Sequence, residues 1–210
     1  MKNMTEINYE SWERRELFEF FSAVSQPFYS VTFNVDVTKL YNYTHSRGLS
    51  FYYALSHLVT KAVNSVDNFL YAIEDGKIVK FDELLCSFTD MRKGTDRFYI
   101  VTMPPFNGSI DEFCAAAKEK SEKQKEFINM DSEGKNLIFI SCLPWVELTG
   151  LTNERNFDRD DNIPRIAWGK YHEESGRKIL GMSLELNHRF CDGVHIGRFA
   201  AELERLIAEL

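Results

Sequence analysis

The chain has 210 residues, of which 44% are hydrophobic and 27% charged, an ordinary balance for a globular protein. Its net charge of -7 argues against a general nucleic-acid binder, which needs a basic surface for phosphates. No apolar run approaches the roughly 20 residues that span a bilayer, the N-terminus lacks a signal-peptide pattern, and the four cysteines form no CxxC pair. We therefore expect a cytoplasmic protein with a single domain over residues 1–210, no zinc site and no membrane partner.

The first part of the chain alternates between helical and strand patterns. Residues 12–24 carry one broad apolar helical face, and Asp75-Gly76 is a strong signal for a two-residue turn. The predicted elements are a helix at 12–24, a strand at 28–37, a short helix capped by Asp36 or Thr38 and ending near Gly48, a buried helix at 51–66, and a hairpin of strands at 69–74 and 77–82.

The second part continues the alternation. The predicted elements are strands at 86–91 and 97–103, a helix capped by Ser109 and reaching about residue 129, a strand at 137–142, two strands at 165–172 and 178–187, and a last helix opened by Gly193. This order predicts an α+β fold in which one large, mixed, mostly antiparallel sheet is covered by helices.

Histidine 188 is the leading candidate for acid–base chemistry. It ends the strand at 178–187 and precedes the turn Asp192-Gly193, so it can be held in a fixed orientation towards a cleft. Neutral histidine accepts a proton near pH 7, as general-base catalysis requires. Asp192 could orient the ring or clamp the turn, and Gly193 would allow a bend where a side chain clashes. The HxxxDG motif is weak when taken alone, because these residues by themselves slightly favour an ordinary polar turn between a strand and a helix.

The other histidines have simpler interpretations. His45 and His172 are expected to be structural or exposed, as most lone histidines are. His57 lies on a strongly apolar helical pattern and is expected to be packed in the core or hydrogen-bonded.

Several motifs in a fixed order make the chain resemble the chloramphenicol acetyltransferases. The similar segments run from residue 12 to the C-terminal part of the chain and cover nearly all of it. They are WERRELF at 12–18, SFY at 50–52, DGKIV at 75–79, SCLPWV at 141–146, GKY at 169–171 and NHRFCDGVHIGR at 187–198.

The resemblance implies an acyltransferase that uses acetyl-CoA, without a metal and without an acyl-enzyme. It implies a homotrimer with active sites at the subunit interfaces. His188 would be the general base and Ser141 the donor to the oxyanion, while Asp192 and Arg14 would form a structural ion pair. The residues at the family's CoA contacts are Trp145, Tyr52, Lys170 and Tyr171, each of which is also explained as an ordinary core or surface residue.

Four positions depart from the family pattern. Asn187 replaces the first of two histidines. Phe21 replaces a tyrosine that faces the acceptor, and Ala167 replaces a threonine that supports the intermediate through water. Ser50 replaces a lysine near the phosphate end of the cofactor. These departures make the reaction type better supported than the acceptor, since buried polar groups set specificity.

Three functions remain open on the sequence. The first is acetyl transfer to chloramphenicol, and the second is acyl transfer to a different small alcohol or amine, which Phe21 and Ala167 favour. The third is a non-catalytic binding protein with the same fold, against which the retention of His188, Ser141, Arg14 and Asp192 argues.

Overall fold

A seven-stranded mixed sheet organises the molecule in a computed structural model that describes residues 4–155 and 160–210. Strand β1 (Met4–Glu6), a short 3-10 helix (Tyr9–Ser11) and helix α1 (Arg15–Ala23) precede the long strands. The other helices are α2 (Thr38–Arg47), α3 (Phe51–Asn64), α4 (Ile110–Lys123) and α5 (Gly193–Ala208). The other strands are β2 (Phe28–Asp36), β3 (Tyr71–Glu74), β4 (Lys77–Phe81), β5 (Leu85–Met91), β6 (Phe98–Thr102), β7 (Leu137–Leu143), β8 (Arg165–Gly169), β9 (His172–Glu174) and β10 (Arg177–Asn187).

The large sheet has the strand order β2-β10-β8-β7-β5-β6, with β9 paired to β10. Strand β7 runs parallel to β5 and β8, whereas the other neighbouring strands are antiparallel. The expectation of a mixed, mostly antiparallel sheet in an α+β fold is therefore confirmed. The predicted hairpin does not join this sheet, because β3 and β4 form a separate three-stranded sheet with β1.

One face of the large sheet carries the hydrophobic core. Alternate residues of the central strands point to this face, and Phe88, Ile140, Trp168 and Leu184 are all at most 2% exposed. Helices α2, α3 and α5 pack against strands of this sheet. The N-cap of α3 is Ser50, whose hydroxyl accepts a hydrogen bond from the Tyr53 amide at 3.3 Å.

The other face of the sheet carries small and polar residues and is covered by the segment after β7. The backbone of Leu148 lies so close to the sheet that a Cβ added to Gly181 would be 2.0 Å from its carbonyl oxygen. Gly169 is equally constrained, since its Cβ would lie 2.5 Å from the Leu148 nitrogen. Glycine at these two positions thus allows a loop to lie directly on the strands.

Several predicted boundaries differ from the structure; the first helix, for example, begins at Arg15 and not at residue 12. Two further differences have tertiary reasons. Helix α4 begins at its predicted Ser109 cap but ends at Lys123, not near residue 129. The Ile100 amide donates to the Phe127 carbonyl at 2.8 Å, so the following residues pair with β6 and become extended. The predicted strand at 165–172 is interrupted after Gly169, where the Lys170 amide donates to the Val146 carbonyl at 2.7 Å.

Candidate active site

The turn between β10 and α5 holds His188 in a defined position. The His188 amide donates to the carbonyl of Pro27 at 2.7 Å, and the amides of Phe190 and Cys191 both donate to the Asn187 carbonyl. The Asp192 amide donates to Nδ1 of His195 at 2.8 Å, which caps the first turn of α5. Gly193 does not have the predicted role of relieving a clash, because a Cβ there would meet no described atom within 4 Å apart from its chain neighbours and its own helix backbone.

Arg14 joins the first helix region to this turn. Its Nη2 donates to Oδ1 of Asp192 at 2.8 Å and to the His188 carbonyl at 2.9 Å. Its Nη1 contacts the other carboxylate oxygen, and its Nε donates to the Arg189 carbonyl at 2.8 Å. The predicted ion pair is thus present, and Arg14 is 7% exposed. The hydrogen bonds from Arg14 lower the pKa of Asp192.

Two aromatic rings pack against the imidazole of His188. The Phe21 ring stacks on it with a centroid distance of 3.9 Å and an interplanar angle of 11°. The Tyr29 ring lies 4.5 Å away, and its hydroxyl donates to the Cys191 carbonyl at 3.2 Å. Nδ1 of His188 is buried and has no hydrogen-bond partner among residues 4–155 and 160–210, although Oδ1 of Asp192 lies 3.2 Å from it.

Tyr29 and His195 were missed in the sequence. The Tyr29 ring reaches His188 because β2 pairs with β10 over nine registered residue pairs, which no local pattern specifies. The cap position of His195, three residues after Asp192, was a usable signal. Burial lowers the pKa of His195, so this side chain favours the neutral form, which accepts a hydrogen bond from the Asp192 amide.

His57 is packed in the core, as expected from its apolar helical pattern. Its ring lies 4.7 Å from the Phe113 ring, and burial lowers its pKa to about 4.

Ser141 lies in a cleft of about 900 Å³ on the polar face of the large sheet. The wall is mostly apolar and includes Phe98, Phe127 and Phe139. Two of the residues predicted to contact CoA also line this cleft. Trp145 is 70% exposed at the cleft, and Tyr52 lies deeper, where its hydroxyl donates to the Thr89 carbonyl at 2.8 Å.

The remaining predicted residues lie outside the lining of this cleft. Lys170 is exposed, and Tyr171 packs 5.4 Å from the ring of Tyr41 near α2. Ala167 is 1% exposed and pairs in register with Ser141. Phe21 belongs to the His188 site as described above.

A single chain does not bring His188 and Ser141 together. Ser141 pairs with Ala167, which in turn pairs with Ser183, four residues before Asn187 on β10. With about 4.8 Å between strands and about 3.3 Å per residue, the Cα atoms of Ser141 and Asn187 are roughly 16 Å apart. Histidine and serine side chains together reach only about 9 Å from their Cα atoms. The two predicted catalytic groups of one chain are therefore too far apart to contact each other.

A buried charge cluster, also missed in the sequence, closes one end of the cleft. Nε of Arg155 donates to Glu185 at 2.9 Å, and its Nη1 donates to Asp161 at 2.9 Å. Nη2 of Arg165 reaches the same Asp161 oxygen at 3.0 Å. The Asn153 amide donates to Glu185 at 2.8 Å, and these contacts lower the pKa of Glu185 despite its burial. Arg155 and Arg165 both line the cleft.

Neither a metal-binding cluster nor a membrane-spanning helix is found over residues 4–155 and 160–210. No group of three or more His, Cys, Asp or Glu side chains in these segments is arranged to hold a metal ion. No helix in these same segments is long and apolar enough to cross a bilayer.

Similar solved structures define the class of protein. A structure titled chloramphenicol acetyltransferase superposes with a TM-score of 0.89 at 25% identity and covers 97% of this chain and 99% of that one. A probable dihydrolipoamide acetyltransferase from Listeria monocytogenes 4b F2365 superposes with a TM-score of 0.66 over 98% of this chain and 94% of that one. Its 16% identity shows a shared fold alone. The fold is that of an acyltransferase.

Sequence comparison then defines the family. The sequence model of chloramphenicol acetyltransferase matches residues 2–204. Chloramphenicol acetyltransferase 3 of Escherichia coli is 31% identical over an alignment of 208 residues that covers 97% of this chain and 97% of that one. The chain therefore belongs to the chloramphenicol acetyltransferase family.

Proposed function

We propose that the chain moves an acetyl group from acetyl-CoA to a hydroxyl group of chloramphenicol, by direct attack and without an acyl-enzyme. The observation that carries this proposal is the fixed His188 turn, with its Arg14–Asp192 ion pair, in a member of this family. The acceptor is proposed from the names of the relatives, which are chloramphenicol acetyltransferases.

His188 is the proposed general base. Its Nδ1 is buried beside Asp192, which leaves Nε2 as the ring nitrogen available to a substrate. Nε2 removes the proton of the acceptor hydroxyl while that oxygen attacks the thioester carbonyl carbon. When the carbon–sulfur bond breaks, the protonated His188 returns its proton to the departing thiolate. Asp192 has both oxygens engaged by Arg14, so we assign it to holding the turn and not to proton transfer.

Ser141 is the proposed donor to the negative charge that develops on the carbonyl oxygen. One such donor is typically worth roughly 3–4 kcal/mol of the barrier. Cys142 lies beside it in the cleft, but burial raises the pKa of its thiol to about 12. A thiol that stays protonated at neutral pH is a poor nucleophile, which supports direct transfer over a cysteine acyl-enzyme.

The cleft suits the cofactor that the family resemblance implies. Its volume of about 900 Å³ is at the upper end for a small-ligand site, and Trp145 offers an exposed aromatic surface at its rim. We propose that Trp145 and Tyr52 bind acetyl-CoA along this cleft. Lys170 and Tyr171 would then contact only the part of the cofactor that extends beyond the cleft.

We further propose a homotrimer with each active site at a subunit interface. His188 and Ser141 of one chain are too far apart to act on one substrate, so each His188 needs the Ser141 of a neighbouring copy. Apolar side chains remain exposed on α1, including Phe20 at 66%, and near the cleft, including Phe127 at 52%. Burying both surfaces between copies would remove them from water. The trimer is expected in the cytoplasm, without nucleic-acid or membrane partners.

A different small alcohol or amine is the second candidate acceptor. Phe21 offers no hydroxyl to an acceptor, and Ala167 is buried without a polar atom in its side chain. Both features change the polar contacts that distinguish one acceptor from another.

The test is an assay of thiol release from acetyl-CoA with chloramphenicol as acceptor. We expect turnover in the wild-type protein and a loss of about a thousandfold or more in His188→Ala, since a positioned base contributes about 10²–10⁴-fold. No thiol release above background at saturating chloramphenicol would overturn this acceptor. Turnover that survives His188→Ala would overturn the mechanism. A screen of other alcohols and amines then separates the two acceptor classes.

A further inference from the structure

The charged end of the cleft contains a hydrogen-bond donor that the protein does not use. The Arg155 side chain is 4% exposed, and its guanidinium stacks 3.7 Å from the centroid of the Phe28 ring. Nε and Nη1 are engaged by Glu185 and Asp161, but Nη2 is buried without a hydrogen-bond partner in the described part of the chain. A buried polar group of this kind is costly unless a partner is supplied.

This donor lies within a small molecule's length of the proposed reaction centre. Arg165 pairs with Phe139 on β7 and precedes Ala167, the partner of Ser141, by two residues on the same face. The spacing of the strands places the Cα atoms of Ser141 and Arg165 roughly 8 Å apart. Arg155 shares Asp161 with Arg165 and lines the same cleft. A molecule that reacts at Ser141 can therefore reach Arg155 with its far end.

The charges of the cluster select the kind of group that fits there. The two guanidinium groups of Arg155 and Arg165 are balanced by the carboxylates of Asp161 and Glu185. Glu154 adds a further carboxylate to the cleft lining. An anion would thus meet a region of slightly negative net charge, where it gains little. An uncharged oxygen can accept a hydrogen bond from Nη2 of Arg155 and is not repelled by the nearby carboxylates.

We propose that Arg155 is an acceptor-binding residue that donates a hydrogen bond from Nη2 to an uncharged oxygen at the far end of the acceptor molecule. Nitro, sulfonyl and carbonyl oxygens belong to this class, and the nitro group of chloramphenicol is one example. The proposal rests on the proposed function for the reaction at Ser141 and His188. Nη2 has almost no surface open to water, so the acceptor reaches it only if the loop that carries Arg155 shifts on binding, and the new bond then replaces no bond to solvent.

A series of chloramphenicol analogues tests the contact in the wild-type protein. The para nitro group is replaced by methylsulfonyl, trifluoromethyl, hydrogen or carboxylate, and kcat/KM is measured for each. Nitro and methylsulfonyl should exceed trifluoromethyl and hydrogen by about tenfold or more, the usual range for a hydrogen bond from a charged donor. The trifluoromethyl compound controls for electron withdrawal. A flat series, or a carboxylate that exceeds nitro, would overturn the proposal.

Arg155→Lys identifies the donor. Lysine keeps the positive charge opposite Glu185 and Asp161 but has no nitrogen in the position of Nη2. The preference for nitro over trifluoromethyl should fall to about twofold or less, with the KM for the acceptor raised and the KM for acetyl-CoA unchanged. Arg205→Lys, on the exposed side of α5, is the matched control and should keep the full preference. A preference that persists in folded Arg155→Lys would exclude Arg155 as the donor.

Equilibrium binding separates this contact from the proposed function. Calorimetry with the same analogues measures the nitro preference even where no compound is acetylated. Binding with the preference but without turnover would overturn chloramphenicol acetylation and support the Arg155 contact. Turnover without the nitro preference would support chloramphenicol acetylation and overturn the Arg155 contact. Failure of every analogue to bind would overturn both proposals.

Discussion

Asp192 supports the proposed catalytic turn through its ion pair with Arg14. Both of its oxygens are engaged by one guanidinium, which also donates to two backbone carbonyls of the turn. Loss of Asp192 would leave the buried charge of Arg14 unpaired, and loss of Arg14 would leave the Asp192 carboxylate without its ion-pair partner. The sequence predicted this pair only through the family resemblance, because 178 residues separate the two partners.

The pair should make the protein sensitive to acid. The pKa of Asp192 is lower in the folded than in the unfolded state, chiefly through its hydrogen bonds with Arg14. Its contribution to the free energy of unfolding is complete above the unfolded pKa of about 3.9 and is lost as pH falls through the folded value. We expect Asp192→Asn to reduce stability at pH 7 by about 3 kcal/mol, near the lower limit for breaking a buried pair because Asp192 is 28% exposed. Urea unfolding at pH 7 and at pH 3 measures both effects.

A surface ion pair provides the control for this experiment. Asp67→Asn removes a partner of Lys80 that is 66% exposed and should change stability by less than about 1 kcal/mol. Equal losses of stability in the two variants would show that the Arg14–Asp192 pair stabilises the protein no more than a surface ion pair does.

Phe21 is expected to fix the plane of the proposed base. Its ring lies parallel to the imidazole at 3.9 Å, so truncation to alanine leaves a gap beside His188. We expect Phe21→Ala to lower kcat by about tenfold, since small errors in orientation cost rate. The KM for acetyl-CoA should not change. Phe21→Tyr keeps the stacked ring and should retain kcat, and a wild-type kcat in Phe21→Ala would contradict a positioning role.

At the scale of elements, helices were predicted more accurately than sheet membership. The apolar faces of residues 51–64 and 193–208 follow helical spacing, so α3 and α5 are visible from local sequence. The end of α4 and the separate sheet of β3 and β4 depend on contacts with distant strands. The Arg155–Glu185 contact was invisible for the same reason, because it joins a loop to β10 across 30 residues.

Gly181 should be essential for the loop that borders the cleft. An alanine Cβ would lie 2.0 Å from the carbonyl oxygen of Leu148, so either β10 or this loop has to move. We expect Gly181→Ala to lower the free energy of unfolding by about 3 kcal/mol, as overpacking does in a tight site. Denaturant unfolding of the variant measures the loss.

Gly197 on α5 provides a control, because alanine at this position should raise the free energy of unfolding instead of lowering it. Apart from the backbone of its own helix and its chain neighbours, no atom of the described residues lies within 4 Å of a Cβ added there, so Gly197→Ala should stabilise the helix by about 0.5–1 kcal/mol. If Gly181→Ala proved as harmless as Gly197→Ala, the close approach of Leu148 would not constrain the fold.

For the whole molecule, the central feature is the separation of His188 from the Ser141 cleft. The sequence predicted both residues by resemblance but could not place them relative to each other, since their distance follows from strand order and register. The roughly 16 Å between the Cα atoms of Ser141 and Asn187, the neighbour of His188, supports the proposal that each chain supplies one group to each of two different sites.

Mixing two inactive variants tests whether neighbouring copies share a site. His188→Ala and Ser141→Ala each disable every site in their own assembly. In co-assembled trimers some interfaces combine His188 from the second variant with Ser141 from the first, and random mixing makes about a quarter of the sites complete. We expect co-expression to restore acetyl transfer to roughly that fraction of wild type. Mixing after separate purification, without subunit exchange, is the control and should stay inactive. No recovery in co-expressed assemblies that contain both variants would show that the site is not formed between copies.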